Sequence, residues 1–232
     1  MALSDEILGL KRGDTGPAVT RLQEALNKSG LGPPIATSGR FDDPTEERVK
    51  GLQMANQLRV DGTVTFPTAR IASKEEYVLN WPRPPKISQS ATMTCWAAGL
   101  ASWAGATNRG KFSEKEILAK YKALEDSNGG LKQPGTNFPI IARDFRMKHQ
   151  FMWARKLTVD DVLEGLMRGA VIIVYWIQAT LPAHTLVVHA LVFRNGQIPI
   201  MNLFDTQPSR GYSTGAVRDL QMNELVLLAS CE

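Results

Sequence analysis

The first part of the chain has apolar residues at helical spacing. The segment Val19–Gln23 places its apolar side chains on one face of a helix, and Val49–Gln53 repeats that pattern later in the chain. Stretches rich in glycine and aspartate surround both segments and are typical of loops. Thr45 marks a helix start, and Thr68 opens a further short helix. The pattern between residues 8 and 72 therefore predicts a small all-α module of three helices.

The middle of the chain continues with helix-like patterns. The stretch Cys95–Ala104 is apolar on all sides and rich in helix formers, which predicts a buried helix beginning near Cys95. Capping residues and amphipathic spacing predict further helices at Ser113–Leu124, Thr136–Met147 and Thr158–Arg168.

Strand-like runs are concentrated towards the C-terminus. Ala170–Trp176 is a continuous apolar run, which predicts a buried strand. The strands His189–Phe193 and Ile198–Phe204 flank Asn195-Gly196, a dipeptide typical of β-hairpin turns. Together with the helices before it, this arrangement predicts an α+β domain.

Residues 75–88 separate these two parts of the chain. The sequence Trp81-Pro-Arg-Pro-Pro85 favours an extended, stiff backbone of the kind found in linkers. We therefore divide the chain into a helical domain at 1–74, a Pro-rich linker at 75–88 and an α+β domain at 89–232.

The composition and charge of the chain limit the kinds of molecule that it is expected to bind. The chain has 232 residues, of which 43% are hydrophobic, and a net charge of +4. Because its basic residues are scattered, we expect no nucleic-acid partner, although a weak attraction for acidic polymers such as an anionic cell wall remains open. The sequence has no apolar run long enough to span a membrane.

The N-terminus and the cysteines lead to expectations about export and about metal binding. The first residues lack the charged and apolar regions of a signal peptide, so we expect synthesis in the cytoplasm and, for work outside the cell, another export route. The two cysteines, Cys95 and Cys231, lack metal-like spacing, and a disulfide between them would consume a potential nucleophile. We therefore expect no metal or cofactor.

Cys95 is the candidate nucleophile. The positive end of a helix dipole favours a thiolate in the first turn, and Thr92 and Thr94 are placed to cap that helix. Gln89 lies in the loop before the helix, where its amide and the Cys95 N–H are candidate donors to an oxyanion. The alternative is that Cys95 is one more small, buried and inert cysteine.

The candidate base is one of three histidines, of which His149 lies in a polar stretch. His189 begins a predicted strand, and the hairpin returns Asp205 towards it, so Asp205 is the expected orienting carboxylate. His184 is the competitor. Because 184 and 189 differ by an odd number, the two side chains face opposite sides of a continuous strand. We favour His189.

The N-terminal turns resemble those of the peptidoglycan-binding domain family. The resemblance is carried by Gly13-Asp14, by Gly39-x-Phe41-Asp42 and by Asp61-Gly62-x-Val64, together with the two repeated helical segments. It implies a three-helix module of the type found on cell-wall hydrolases, with peptidoglycan as partner.

The second domain resembles papain-like cysteine peptidases, and in particular their C39-like bacterial branch. The resemblance is carried by Gln89, by the pair Cys95-Trp96, and by His189 and Asp205 in that order. It implies a peptidase or amidase in which His189 takes the thiol proton, Asp205 orients His189, and Gln89 stabilises the oxyanion.

Three functions remain open from the sequence. The first is a bacterial wall-directed peptidase or amidase, localised in the periplasm or cell wall by its first domain. The second is a secreted effector or toxin that cleaves a protein inside a target cell, with secretion machinery or an immunity protein as partner. The third is a non-catalytic wall-binding protein.

Overall fold

The helices predicted in the first part of the chain are present in the computed structural model, which describes residues 2–177, 183–195 and 197–232. Within this described part, the N-terminal region forms α1 (Leu3–Ile7), α2 (Pro17–Lys28), α3 (Asp43–Ala55) and α4 (Phe66–Ala72). Their buried apolar residues form one core, which includes Val19, Leu22, Val49 and Leu52 of the repeated segments. The helical module is therefore confirmed, with α1 as an additional helix.

The glutamines at the ends of the two repeated segments, Gln23 and Gln53, have the same structural role, which explains why the segment is repeated. Gln23 is fully buried, and its amide donates to Arg40 O at 2.9 Å and accepts from the Gly39 N–H at 3.0 Å. Gln53 is equally buried, donates to Thr63 O at 2.8 Å and accepts from the Gly62 N–H at 3.0 Å. Each glutamine therefore satisfies the backbone of the loop that follows its helix, where an unpaired polar group would be costly.

The start of α3 differs slightly from the sequence prediction. The Asp42 side chain accepts a hydrogen bond from the Thr45 N–H at 3.2 Å and so caps the helix. The helix begins at Asp43 rather than at Thr45, because an N-cap aspartate satisfies donors of the first turn and proline is tolerated there.

The chain consists of two compact units. The first comprises Met1–Val78 with the short segments Thr158–Asp160 and Val192–Pro199. The second comprises Leu79–Leu157, Asp161–Leu191 and Ile200–Glu232. Part of the segment predicted as a linker is structured, since it contains strand β1 (Tyr77–Asn80), and Trp81 Nε1 donates to Leu166 O at 2.6 Å.

The rest of the described chain is mixed helix and antiparallel sheet, as predicted for the α+β class. Its helices are α5 (Cys95–Ala106), α6 (Glu114–Lys120), α7 (Pro134–Asp144), α8 (Val159–Leu166) and α9 (Val217–Gln221). Its further strands are β2 (Met147–Trp153), β3 (Val171–Trp176), β4 (His184–Phe193), β5 (Ile200–Asp205), β6 (Gly211–Ala216) and β7 (Leu225–Cys231). Among the described residues the strand order is β2-β7-β3-β4-β5-β6, with β1 paired to β4.

Several elements differ from the sequence-based expectations. The helix expected to run to Met147 ends at Asp144, and Met147 begins β2, which pairs with β7 in antiparallel register. Strand β4 begins at His184 rather than at His189. Gly196 of the predicted hairpin turn lies outside the described residues.

The buried helix α5 packs against the sheet where the candidate site lies. A methyl group added at Gly99 would lie 2.3 Å from Thr185 Cγ2, so glycine permits the close approach of α5 to β4. Trp103 Nε1 donates to Ala170 O at 2.6 Å and anchors the helix farther along. These contacts bring the first residue of α5 close to the start of β4.

No helix in the described ranges is both long and apolar enough to cross a membrane.

Candidate active site

Cys95 is the first residue of α5 and is 3% exposed. Its thiol donates a hydrogen bond to Ala183 O at 3.2 Å. Thr94 occupies the N-cap position, but its hydroxyl bonds within the preceding loop, donating to Ala91 O at 3.0 Å. The threonine therefore orders the loop before Cys95 instead of capping the helix with its side chain, which differs from the expectation for Thr92 and Thr94.

The imidazole beside Cys95 belongs to His184. Its Nε2 lies 2.6 Å from Asp205 Oδ1, and the neighbouring Cys95 contributes to the raised pKa of the ring. Because Nε2 faces the carboxylate, Nδ1 is the nitrogen left for the thiol. Burial lowers the pKa of His184, but the hydrogen bonds and negative charges of Asp205 and Cys95 outweigh it and raise the pKa to about 9.

His189 lies away from these groups. Its ring packs edge-on against Tyr212 at 6.4 Å, burial lowers its pKa, and its Nδ1 has no hydrogen-bond partner among the described residues. The prediction that Asp205 holds His189 is wrong, because Asp205 contacts His184. The two histidines are an odd number of residues apart on β4, so their side chains face opposite sides of the strand, and His184 is the one on the side of Asp205.

The register of the return strand explains this correction. Thr206 Oγ1 donates to Thr185 O at 3.2 Å, so the residues that end β5 lie beside the beginning of β4. The hairpin prediction assumed that Asp205 returned to the level of His189. The actual pairing brings it to His184 instead.

Asp205 is held by more than the histidine. It is 3% exposed, and it accepts from the Gln207 N–H at 2.8 Å and from Arg210 Nη1 at 3.4 Å. Burial acts to raise the pKa of Asp205, but the hydrogen bonds from His184 and Gln207 and the charges of His184 and Arg210 lower it overall. The group is therefore a carboxylate at neutral pH.

Tyr175 completes the surroundings of the imidazole. It is the cross-strand neighbour of His184 on β3, and the two rings meet edge to face at 5.6 Å. Burial and the charge of Asp205 raise the pKa of Tyr175, which keeps its hydroxyl protonated. Tyr175, Gln207 and Arg210 were not singled out from the sequence, because cross-strand proximity and turn geometry leave no signal in local spacing.

Gln89 lies in the loop before α5, as expected, and is hydrogen-bonded to Thr206, the residue directly after β5. Its N–H donates to Thr206 O at 2.9 Å, and its side-chain oxygen accepts from Thr206 Oγ1 at 3.1 Å. Its amide nitrogen donates to Ala91 O at 3.0 Å and to Thr92 O at 3.2 Å. In this structure the amide donors are thus used within the loop.

The arrangement joins a thiol, an imidazole and a carboxylate in series. Such a series can move a proton from sulfur to nitrogen and stabilise the resulting imidazolium. Of the four site residues predicted from the sequence, the structure brings Cys95 and Asp205 to one imidazole, that of His184. It places Gln89 beside Thr206 and leaves His189 outside the cluster.

Comparisons with known proteins identify the first module. Residues 15–71 match the family described as "Putative peptidoglycan binding domain". The comparison with curated proteins finds no match.

Several solved structures are similar to the chain, and two of them are described here. The peptidase domain of Streptococcus ComA, a bifunctional ABC transporter involved in quorum sensing, is 18% identical at a TM-score of 0.44, with 63% of this chain and 97% of that one covered. A double-glycine-motif protease from an AMS/PCAT transporter, solved with its leader peptide, is 13% identical at a TM-score of 0.41, with 66% of this chain and 95% of that one covered.

The peptidoglycan-binding resemblance inferred from the sequence is confirmed for residues 15–71 by the family match.

Proposed function

We propose that the protein is a cysteine peptidase or amidase that hydrolyses an amide bond with Cys95, His184 and Asp205. The observation that carries this proposal is that one imidazole contacts both the Cys95 thiol and, at 2.6 Å, the Asp205 carboxylate. A buried cysteine with only a structural role has no need of a base that is itself oriented by a carboxylate.

The reaction follows from these positions. His184 takes the thiol proton, and the thiolate attacks the carbonyl carbon of the substrate to form a C–S bond and an oxyanion. The C–N bond then breaks, and the imidazolium gives its proton to the leaving amine. Water, deprotonated by His184, attacks the thioester, releases the acid and restores the thiol. A His184 pKa of about 9 means that His184 holds the proton at neutral pH once it has taken it from the thiol, and the imidazolium is then available to the leaving amine.

The oxyanion requires donors near Cys95. The backbone N–H of Cys95 is one, because the first N–H groups of a helix have no partner within the helix. Gln89 supplies the second once its amide nitrogen exchanges Ala91 O and Thr92 O for the developing oxyanion. Its backbone and side-chain contacts with Thr206 hold it in place for this exchange.

The first module localises the activity. The family match at residues 15–71 supports binding to peptidoglycan, and therefore a bacterial enzyme that works at the cell wall. Binding to the wall raises the local concentration of any substrate held there. A wall-directed peptidase is favoured over a purely wall-binding protein because His184 interacts with both Cys95 and Asp205, the combination that a thiol nucleophile requires.

The test compares wild type with Cys95→Ala and His184→Ala. Each protein is incubated with purified sacculi and with a mixture of soluble peptides, and new amino and carboxyl ends are identified by mass spectrometry. Fragments are expected with wild type only. Equal fragmentation by Cys95→Ala, with the protein repurified to exclude a contaminant, would overturn the proposal.

A further inference from the structure

Glu114 is a buried carboxylate at the start of α6. It is the first residue of that helix and is 9% exposed. Its two oxygens accept from the same backbone N–H, that of Ser90, at 2.9 and 3.1 Å. Taking a carboxylate out of water is costly unless it is hydrogen-bonded, and a hydrogen bond to a charged acceptor is roughly twice as strong as a neutral one. The contact therefore holds the Ser90 peptide firmly against α6.

The residue directly before Ser90 is Gln89, the proposed second oxyanion donor. The Gln89 N–H donates to Thr206 O at 2.9 Å, so the peptide units on both sides of the Gln89 Cα are hydrogen-bonded, one to Thr206 and the other to Glu114. Because each peptide unit is planar, holding both of them leaves the two backbone dihedral angles at Gln89 little freedom. The direction in which the Gln89 side chain leaves the backbone is thereby set.

The far end of the Gln89 side chain is oriented as well. Its oxygen accepts from Thr206 Oγ1 at 3.1 Å, and its nitrogen carries the two N–H donors. That nitrogen donates to Ala91 O and Thr92 O, in the loop that leads to Cys95. An oxyanion needs donors, so the amide presents its useful end on the side of this loop.

We propose that Glu114 is a positioning residue for hydrolysis: its carboxylate fixes the peptide between residues 89 and 90, so that the Gln89 amide can donate to the oxyanion that forms at Cys95. The inference rests on the proposed function and adds a residue to it. Glu114 acts through Gln89 and takes no part in the proton transfer from the thiol. A displacement of about 1 Å at a catalytic group can cost about 100-fold in rate, so release of this peptide from α6 is enough to impair the donor.

The test compares two reactions of Cys95. 4-Nitrophenyl acetate acylates the thiol through a tetrahedral oxyanion: a C–S bond forms, the C–O bond breaks, and 4-nitrophenolate is released and measured by its absorbance. Iodoacetamide alkylates the same thiol by displacement of iodide, with no oxyanion. All proteins carry Cys231→Ala, so that the second free thiol contributes to neither rate. The ratio of acylation to alkylation therefore reports on the oxyanion donors.

Glu114→Ala is expected to lower this ratio by about 10- to 100-fold, because Ser90 loses its acceptor and the Gln89 donor moves. Glu114→Gln keeps an oxygen acceptor and loses the charge, so it is expected to restore most of the ratio. Both variants lack the charge, and the difference between them therefore isolates the acceptor. If Glu114→Ala does not fold by circular dichroism, Glu114→Met removes the acceptor at similar volume and takes its place.

Glu116→Ala is the matched control in the same turn of α6. The Glu116 carboxylate is exposed and belongs to the capping box, in which it accepts from the Ser113 N–H at 2.7 Å. Its loss weakens the start of α6 and leaves the contact with Ser90 in place, so the ratio is expected to stay unchanged. An equal fall in Glu116→Ala and Glu114→Ala would mean that the stability of α6 sets the rate, and would overturn the inference.

The double variant Gln89→Ala/Glu114→Ala tests whether the two residues act together. It is expected to be acylated as slowly as Gln89→Ala alone, because Glu114 works through that side chain and groups that act as a unit give effects that do not add. Losses that multiply in the double variant would show that Glu114 acts independently of Gln89, against the inference.

The outcomes separate this inference from the proposed function. Acylation of Cys95 that does not depend on His184 would contradict the proposed function. Acylation that depends on His184 and on Gln89, but is unchanged in Glu114→Ala, would overturn the role of Glu114 alone. An equally slow Glu114→Gln would do the same, since the acceptor would then not be what the site requires.

Discussion

His184 and Asp205 are paired at 2.6 Å between Nε2 and Oδ1, which joins the first residue of β4 to the last residue of β5. The pair is largely buried, and the Asp205 carboxylate also accepts from the Gln207 N–H at 2.8 Å. The contact occupies Nε2 and leaves Nδ1 as the nitrogen available to Cys95. One hydrogen bond between two strands therefore orients the base that the proposed mechanism requires.

Cys95→Ala is expected to abolish hydrolysis and to leave the fold intact, since it removes the nucleophile and little volume. The measurement is turnover of any identified peptide substrate, with circular dichroism to check the fold. Cys231→Ala is the matched control, because Cys231 is also buried and free but has no place in the proposed mechanism. Retained turnover in Cys95→Ala would exclude the cysteine mechanism.

His184→Ala is expected to lose as much activity as Cys95→Ala, because groups that act as a unit give effects that do not add. His189→Ala is expected to keep most activity, since its ring lies against Tyr212. Rates of the single variants and of the double variant Cys95→Ala/His184→Ala provide the measurement. Loss in His189→Ala with full activity in His184→Ala would reverse the assignment.

The pH dependence of kcat/KM is expected to fall as the pH rises through about 9, where His184 loses the proton needed by the leaving amine. Because the pKa of His184 in the folded protein lies above the ordinary histidine value of 6.5, the stabilisation from this proton is complete below pH 6.5 and is lost as the pH rises through about 9. Asp205→Asn removes the charge that raises the pKa, so the alkaline limb is expected to move to lower pH. A limb unchanged by Asp205→Asn would contradict this account.

Gln89→Ala is expected to lower kcat by about 10²–10³-fold, because one of two oxyanion donors is lost. Iodoacetamide is expected to alkylate Cys95 in this variant as in wild type. Thr206→Val separates anchoring from donation, since it removes the hydroxyl 3.1 Å from the Gln89 side-chain oxygen but keeps the amide. A smaller loss is expected there. Unchanged turnover in Gln89→Ala would remove this residue from the active site.

The full-length Cys95→Ala protein is expected to co-sediment with purified sacculi. Gln53→Ala leaves the loop backbone at Gly62 and Thr63 unpaired, and is therefore expected to weaken sedimentation without changing the rate of Cys95 alkylation in a protein that carries the thiol. Gln150→Ala, at an exposed residue of β2, is the control. If the Cys95→Ala protein, whose first module is unsubstituted, does not sediment with sacculi, the first module does not bind the wall.

Local sequence signals were sufficient for the helical module and for α5. The apolar residues of α2 and α3 repeat at helical spacing, and the turn residues between them specify the loops that Gln23 and Gln53 satisfy. Helix α5 begins at Cys95 as predicted, because an uninterrupted apolar run of helix formers has to be buried wherever it packs. These features depend on neighbours close in the chain.

The identity of the histidine beside the thiol depended on contacts between distant parts of the chain. The odd interval between His184 and His189 shows that they face opposite sides of β4, but it does not say which side meets Cys95. That side is set by the approach of Gly99 to Thr185 and by the register that brings Thr206 to Thr185. Strand register and helix-to-sheet packing are long-range relationships, so no local pattern specifies them.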